Sequence, residues 1–242
     1  MAVGPRAVVT EVIPHSLSSV TVGDDGTDEW MSRRYAAPDE QYVRLNLVTT
    51  ITGSTAGDDG TSNSITSRTD RYVLGAIRRS ADVVLVGAET VRAEGYMLPK
   101  AVRLAIVTSS GDFGSEGLRT DGDRAPAIVL CPASRAAQVR NALRDAPVEV
   151  TPLPGDDDLS PRAIVDALVA AGLPRIVCEG GPALATQLLD AGLVDEVCVT
   201  VSPAMEPPGR PFVRPVASVA SSVEGMLVDD AGFSYLRLRP RR

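Results

Sequence analysis

Three short stretches carry residue types that do chemistry, at spacings a fold can use. The first is Cys178-Glu179-Gly180-Gly181-Pro182, where an apolar run ends at a carboxylate, two glycines allow a sharp turn and a proline opens a helix at its first position. The helix start formed by Gly180, Gly181, Pro182, Ala183 and Leu184 would offer backbone N–H groups as an anion site, suited to the pyrophosphate of a dinucleotide. The same segment also reads as a tight β–α turn with Glu179 as a helix cap. The second stretch follows Gly87, where Thr90 and Glu94 would project near a strand-end crevice; the plainer alternative is an exposed Glu89–Arg92 pair with Glu94 solvated. The third is Ser62-Asn63-Ser64-Ile65-Thr66-Ser67 with Arg78 about three turns along the helix that follows. Hydroxyls and a guanidinium can hold a phosphate ester, although a polar loop with capping hydroxyls and a surface arginine has the same composition.

Regular elements must position these groups. From Tyr42 the sequence alternates: Val43, Leu45 and Leu47 form one face of a strand, and Asn46, Val48 and Thr50 share the other. Ser67-x-x-Asp70 marks a helix start with an acid in its first turn, and Val73, Leu74 and Ile77 form that helix's apolar stripe. Residues 82–87 (DVVLVG) read as a strand buried on both faces. Further strands are expected at 103–108, 127–131, 148–151 and 175–179, with helices at 134–144, 161–171 and from Pro182. The last runs, 196–201, 226–228 and 235–238, have no helices between them and look antiparallel. The expectation is one α/β domain over residues 42–242, with a mostly parallel central sheet, antiparallel C-terminal strands and helices on both faces. Residues 1–41 read as an N-terminal arm that packs on the domain or on a second subunit.

Composition excludes several functions. The chain has 242 residues, 44% hydrophobic and 23% charged, with a net charge of −7, which argues against nucleic acid as the main partner. No apolar run reaches the roughly 18 residues of a membrane span, and the N-terminus has no secretory pattern, so the expected location is the cytoplasm. A single histidine, His15, makes a multi-histidine metal site or a histidine triad implausible, and no metal is expected. Cys131, Cys178 and Cys198 lie in apolar runs without C-x-x-C spacing and read as buried reduced thiols.

Taken together, YVRLNLVTTITG, ITSRTDRYVLGAIRRSADVVLVGAETVRAEGY and IVCEGGPALATQLLDAGLVDEVCVTVSPAM resemble the pyrimidine reductase family of riboflavin biosynthesis, from about Tyr42 to Met205. The resemblance implies a dihydrofolate-reductase-like fold and an NADPH-dependent reductase, which transfers hydride to C1′ of a ring-opened ribosylamino-pyrimidine phosphate and gives the ribitylamino product. By position it implies cofactor contacts at Val48, Ser64, Thr90, Glu94 and the helix start at 181–187, and substrate contacts at Ser62, Arg78, Leu98 and Glu179. Arg78 with Ser62 would then hold the 5′-phosphate. Glu179 would bind amino or ring N–H groups, and Glu94 or Glu179 would deliver the proton that imine reduction requires. The family's homodimer would suit the apolar run at 197–201. This chain departs from the family pattern at Asn46, Thr52, Ser64 and Glu94-Gly95-Tyr96, and no zinc-deaminase motif accompanies it. Those departures keep two alternatives open: a pterin reductase of the dihydrofolate type, and a non-catalytic dinucleotide-binding protein.

Overall fold

The computed structural model describes residues 7–94, 102–113, 125–155, 158–207, 211 and 213–241. A single mixed sheet organises the chain. Its strands are β1 (Val8–Ile13), β2 (Ser19–Thr21), β3 (Tyr42–Thr50), β4 (Val83–Gly87), β5 (Arg103–Val107), β6 (Ala127–Pro132), β7 (Val148–Leu153), β8 (Arg175–Gly180), β9 (Glu196–Ser202), β10 (Ser221–Asp229) and β11 (Ser234–Pro240). Their order across the sheet is β2-β1-β10-β11-β9-β3-β8-β4-β5-β6-β7. From β9 to β7 every neighbouring pair is parallel, and from β9 outward through β11, β10, β1 and β2 every pair is antiparallel.

Helices cover both faces. On one side α5 (Pro161–Ala170) and α6 (Pro182–Asp190) bury Ile164, Val165, Leu168, Leu184 and Leu188 against Val43, Leu45, Val83 and Leu85. On the other, α3 (Ala88–Glu94) and α4 (Ala136–Ala142) pack on Val84, Val86 and Ile106, while α1 (Thr27–Tyr35) and α2 (Arg68–Arg79) pack around Tyr235 and Leu227. Successive residues of β4 thus feed opposite cores, which is why its sequence is apolar throughout rather than alternating.

Residues 8–35 extend the same sheet. β1 pairs with β10, and α1 places Trp30, Met31 and Tyr35 in the core beside α2. The run at 197–201 is not an open interface strand: β9 is paired on both edges, with β3 and β11, and Val197, Cys198, Val199 and Thr200 are buried. Arg44, which alternation assigns only to one face of β3, is 1% exposed. Its guanidinium meets Glu196 of β9, and the other oxygen of Glu196 accepts from Arg237 Nε at 2.8 Å. This paired charge cluster ties β3, β9 and β11 together beneath α1.

Candidate active site

The parallel strands β3, β8 and β4 end on one side of the sheet, and a cleft of about 310 Å³ opens there. This is the edge where open α/β sheets place ligands, since strand ends and helix starts leave backbone groups unpaired. Asn46 and Val48 of β3, Thr200 of β9, Thr90 of α3, the Glu179-Gly180-Gly181-Pro182 turn and the loop residues Ser62 and Asn63 line the cleft, with α2 along its side.

At the turn, Gly180 has φ 136° and Gly181 is the N-cap of α6, with no side-chain cap hydrogen bond. Gly180 lies 3.5 Å and Gly181 3.3 Å from Thr90 Oγ1, measured from where a Cβ would stand. Gly180 is favoured by its left-handed φ, whereas at Gly181 a Cβ would fit only slightly too tightly against Thr90. The turn expected to form an anion site lines the cleft through Gly180, Gly181 and Pro182, at the start of α6. Neither Ala183, which is exposed, nor Leu184, whose side chain is buried in the core with Val43, Leu45 and Leu188, lines the cleft.

Glu179 has a partner that its position in sequence did not reveal. Arg78 Nε donates to Oε1 at 2.7 Å and an Arg78 terminal nitrogen donates to Oε2 at 2.5 Å, a two-pronged pair. The carboxylate is 7% exposed and the guanidinium 27%. The donors that satisfy this buried carboxylate are therefore supplied by Arg78 rather than left to a ligand, and Arg78 is not an uncommitted cation beside Ser62.

The other expected contacts separate. Ser62 lines the cleft, but Ser64 does not; it is exposed and donates to Asp59 Oδ1 at 2.7 Å. Leu98 lies outside the described residues, as does the side chain of Glu94.

Asp70, Arg71 and Thr200, given no site role in the sequence, also line the cleft. Ser67 Oγ accepts from the Asp70 backbone N–H at 3.0 Å, so the expected cap is present, yet the Asp70 side chain turns into the cleft. Leu74 lines the cleft too, and the helix buries Val73, Ala76 and Ile77 instead. The missed signal was the i, i+4 stripe Asp70–Leu74–Arg78, polar at both ends. Burial pushes the Asp70 carboxyl above the usual aspartate range, and hydrogen bonds from Thr200 and Thr66 oppose that rise only partly. The Arg71 guanidinium is exposed at the rim and makes no hydrogen bond or ion pair among the described residues. Among the described residues, no group of His, Cys, Asp and Glu could hold a metal ion.

Comparison with known proteins places this geometry. The family model for the RibD C-terminal domain matches residues 41–212. The chain is 29% identical over 174 residues to the 2,5-diamino-6-ribosylamino-4(3H)-pyrimidinone 5′-phosphate reductase of Methanothermobacter thermautotrophicus, covering 67% of this chain and 77% of that protein. A pyrimidine reductase-like protein from Corynebacterium diphtheriae has a solved structure that superposes with a TM-score of 0.72 at 24% identity, covering 88% of this chain and 99% of that one. A bifunctional protein of Thermotoga maritima, a diaminohydroxyphosphoribosylaminopyrimidine deaminase and 5-amino-6-(5-phosphoribosylamino)uracil reductase, superposes with a TM-score of 0.66 at 21% identity, covering 84% of this chain and 57% of that one. The two superpositions establish a shared fold.

Proposed function

The chain belongs to the RibD C-terminal domain family, and on that premise we propose that it is an NADPH-dependent reductase of a phosphorylated ribosylaminopyrimidine in riboflavin biosynthesis. The observation that carries the proposal is the meeting, in one cleft, of an uncapped helix start with the Arg78–Glu179 pair at the end of the adjoining strand. The cleft suits a nicotinamide dinucleotide: α6 starts at its wall without a side-chain cap, and Gly181 leaves room where a Cβ would press on Thr90. Gly181, Pro182, Thr90 and Val48 would hold it, and when bound it supplies a hydride.

The residues of the chain orient the other reactant. Arg78 fixes the plane of the Glu179 carboxylate, so that the pair presents one fixed orientation of the cleft wall to substrate amino or ring N–H groups. Arg71, rather than Arg78, is the cation at the rim with capacity for a 5′-phosphate, and Ser62 lies along the same wall. The nitrogen of the reduced imine takes up a proton from Glu94 or from water, while Glu179, ion-paired with Arg78, serves as an acceptor. The proposal extends to a cytoplasmic homodimer; the three unpaired, buried thiols suit a reducing compartment.

The test is direct. Purified protein with NADPH and the ribosylamino-pyrimidine phosphate should consume the nicotinamide absorbance and yield the ribitylamino product. Tight NADPH binding without turnover of any pyrimidine or pterin would instead support the non-catalytic dinucleotide-binding alternative.

A further inference from the structure

The reductase reading leaves one buried group of the cleft without a task. Asp70 is 9% exposed, yet its side chain lines the cleft. Its close partners are hydroxyls rather than cations: Thr66 Oγ1 donates to Oδ2, and the Thr200 hydroxyl, from β9, lies near enough to favour its ionised form. Arg71 acts on it electrostatically from the rim but forms no ion pair with it among the described residues, and Asp229 acts on it electrostatically as a second acid. An ionised carboxylate is an acceptor only, with about four lone-pair positions. The two threonines leave part of that capacity unused in a place where water is scarce. A ligand that brings N–H donors would restore what burial has taken away.

The rest of the α2 stripe says what shape that ligand has. Asp70, Leu74 and Arg78 face the cleft in a row, spanning about 12 Å at 1.5 Å per residue. Arg78 with Glu179 closes one end, Leu74 offers an apolar seat for a flat ring, and Asp70 closes the other end.

Building on the reductase reading above, we infer that Asp70 determines specificity: it reads the edge of a 2-amino-4-oxopyrimidine, so the chain takes a 2,5-diaminopyrimidinone ribotide in preference to the corresponding uracil. Relatives are named for both head groups. In the pyrimidinone, ring N3–H and the exocyclic 2-amino group lie side by side, two parallel donors that match the two oxygens of a carboxylate as a guanidinium does. In uracil, position 2 is a carbonyl, so the same edge, N3–H beside C2, would point an oxygen at the Asp70 carboxylate. A buried acceptor facing an acceptor is penalised, and sites built to hydrogen-bond a group reject analogues lacking it far more strongly than apolar pockets do. Reduction on this chain would then precede loss of the 2-amino group. That loss falls to a hydrolytic deaminase acting on the ribitylamino product, with water entering, ammonia leaving and C–NH₂ becoming C=O.

The experiment compares kcat/KM for the two ribotides with NADPH, in the full chain and in Asp70→Asn, together with calorimetric affinity for each ribotide in the presence of NADP⁺. The wild type should favour the diaminopyrimidinone at least tenfold. Asp70→Asn presents one donor and one acceptor, matching the N–H and carbonyl of uracil, and should abolish or invert that ratio with NADPH affinity unchanged. Thr200→Val, which keeps shape and removes one hydroxyl, should reduce the ratio partway. Equal use of both ribotides by the wild type, or a ratio unmoved in Asp70→Asn, overturns the inference. If neither ribotide is turned over, the reductase reading fails, and the affinity ratio alone decides the role of Asp70. Dihydrofolate, which has the same 2-amino-4-oxo edge but no ribosyl phosphate, is the remaining arm. Asp70-dependent turnover of dihydrofolate alone would keep the edge-reading role and reject the ribotide.

Discussion

Replacing Arg78 by alanine strips the Glu179 carboxylate of both its guanidinium hydrogen bonds while leaving it 7% exposed. Breaking a buried pair by deleting one partner costs about 3–5 kcal/mol, because the survivor is a desolvated charge without donors. Arg78 is itself 27% exposed, so part of the pair is screened by solvent, and about 2–3 kcal/mol is the better expectation for Arg78→Ala. The reverse perturbation is milder. Glu179→Gln keeps an acceptor for one guanidinium nitrogen, and Arg78 can turn its other donors toward water, so the cost should be about 1 kcal/mol. At roughly 2–4 °C per kcal/mol for a domain of this size, melting temperatures should fall by about 5–10 °C for Arg78→Ala and by no more than about 4 °C for Glu179→Gln. Denaturant titration should agree, and the double variant Arg78→Met with Glu179→Gln should cost less than the sum of the singles by about 1–2 kcal/mol. Equal losses in the two single variants, or additive losses in the double, would refute the view that Arg78 exists to satisfy Glu179. Activity separates the roles further: Glu179→Gln should lose at least tenfold in kcat/KM, about 1.4 kcal/mol, despite its small effect on stability.

Three further outcomes are expected. Gly181→Val should weaken NADPH at least tenfold, about 1.4 kcal/mol by fluorescence titration, since a Cβ there already stands 3.3 Å from Thr90 Oγ1; full affinity in a folded variant would exclude the α6 start as the pyrophosphate site. Arg71→Ala should raise KM for the phosphorylated substrate several-fold while the melting temperature stays within about 1 °C, because the guanidinium is exposed; equal loss with a dephosphorylated substrate would remove its phosphate role. Burial raises the folded-state pKa of Asp70, so the unfolded chain releases this proton first and the wild type loses stability as pH rises from about 4 through the folded value. Asp70→Asn lacks that loss and should melt higher than the wild type near neutral pH, with the gap closing toward pH 4; a gap independent of pH would count against a perturbed Asp70.

The sequence was most informative where one residue's role is set by its near neighbours. Ser67 caps α2 as its spacing with Asp70 implied, β4 is apolar because both its faces are covered, and the glycines after Glu179 turn the chain into α6. Roles that depend on distant partners were hidden. Arg78 and Glu179 are 101 residues apart, and only the β3–β8–β4 order brings them together. Asp70 has the same local signature whether it caps a helix or lines a cleft; the roll of α2 against the sheet decides, and Val73, Ala76 and Ile77 set that roll. β1 and β2 are short and mixed in composition, and β1 pairs with a strand more than 200 residues later, so no local periodicity announced them.

The three cysteines acquire a use from where the core clusters put them. Cys178 lies in the core beneath α5 and α6, Cys131 in that beneath α3 and α4, and Cys198 in that beneath α1 and α2. None is more than 3% exposed, and burial raises all three thiol pKa values, that of Cys178 to about 12. Thiolate is therefore withheld from alkylating reagents in the native state, and modification of each sulfur must wait for its own cluster to open. The chain thus carries one intrinsic chemical clock per core cluster. Mass spectrometry of timed labelling would rank the three clusters by opening free energy, and ligand in the cleft should slow most the clock whose opening pulls the cleft apart.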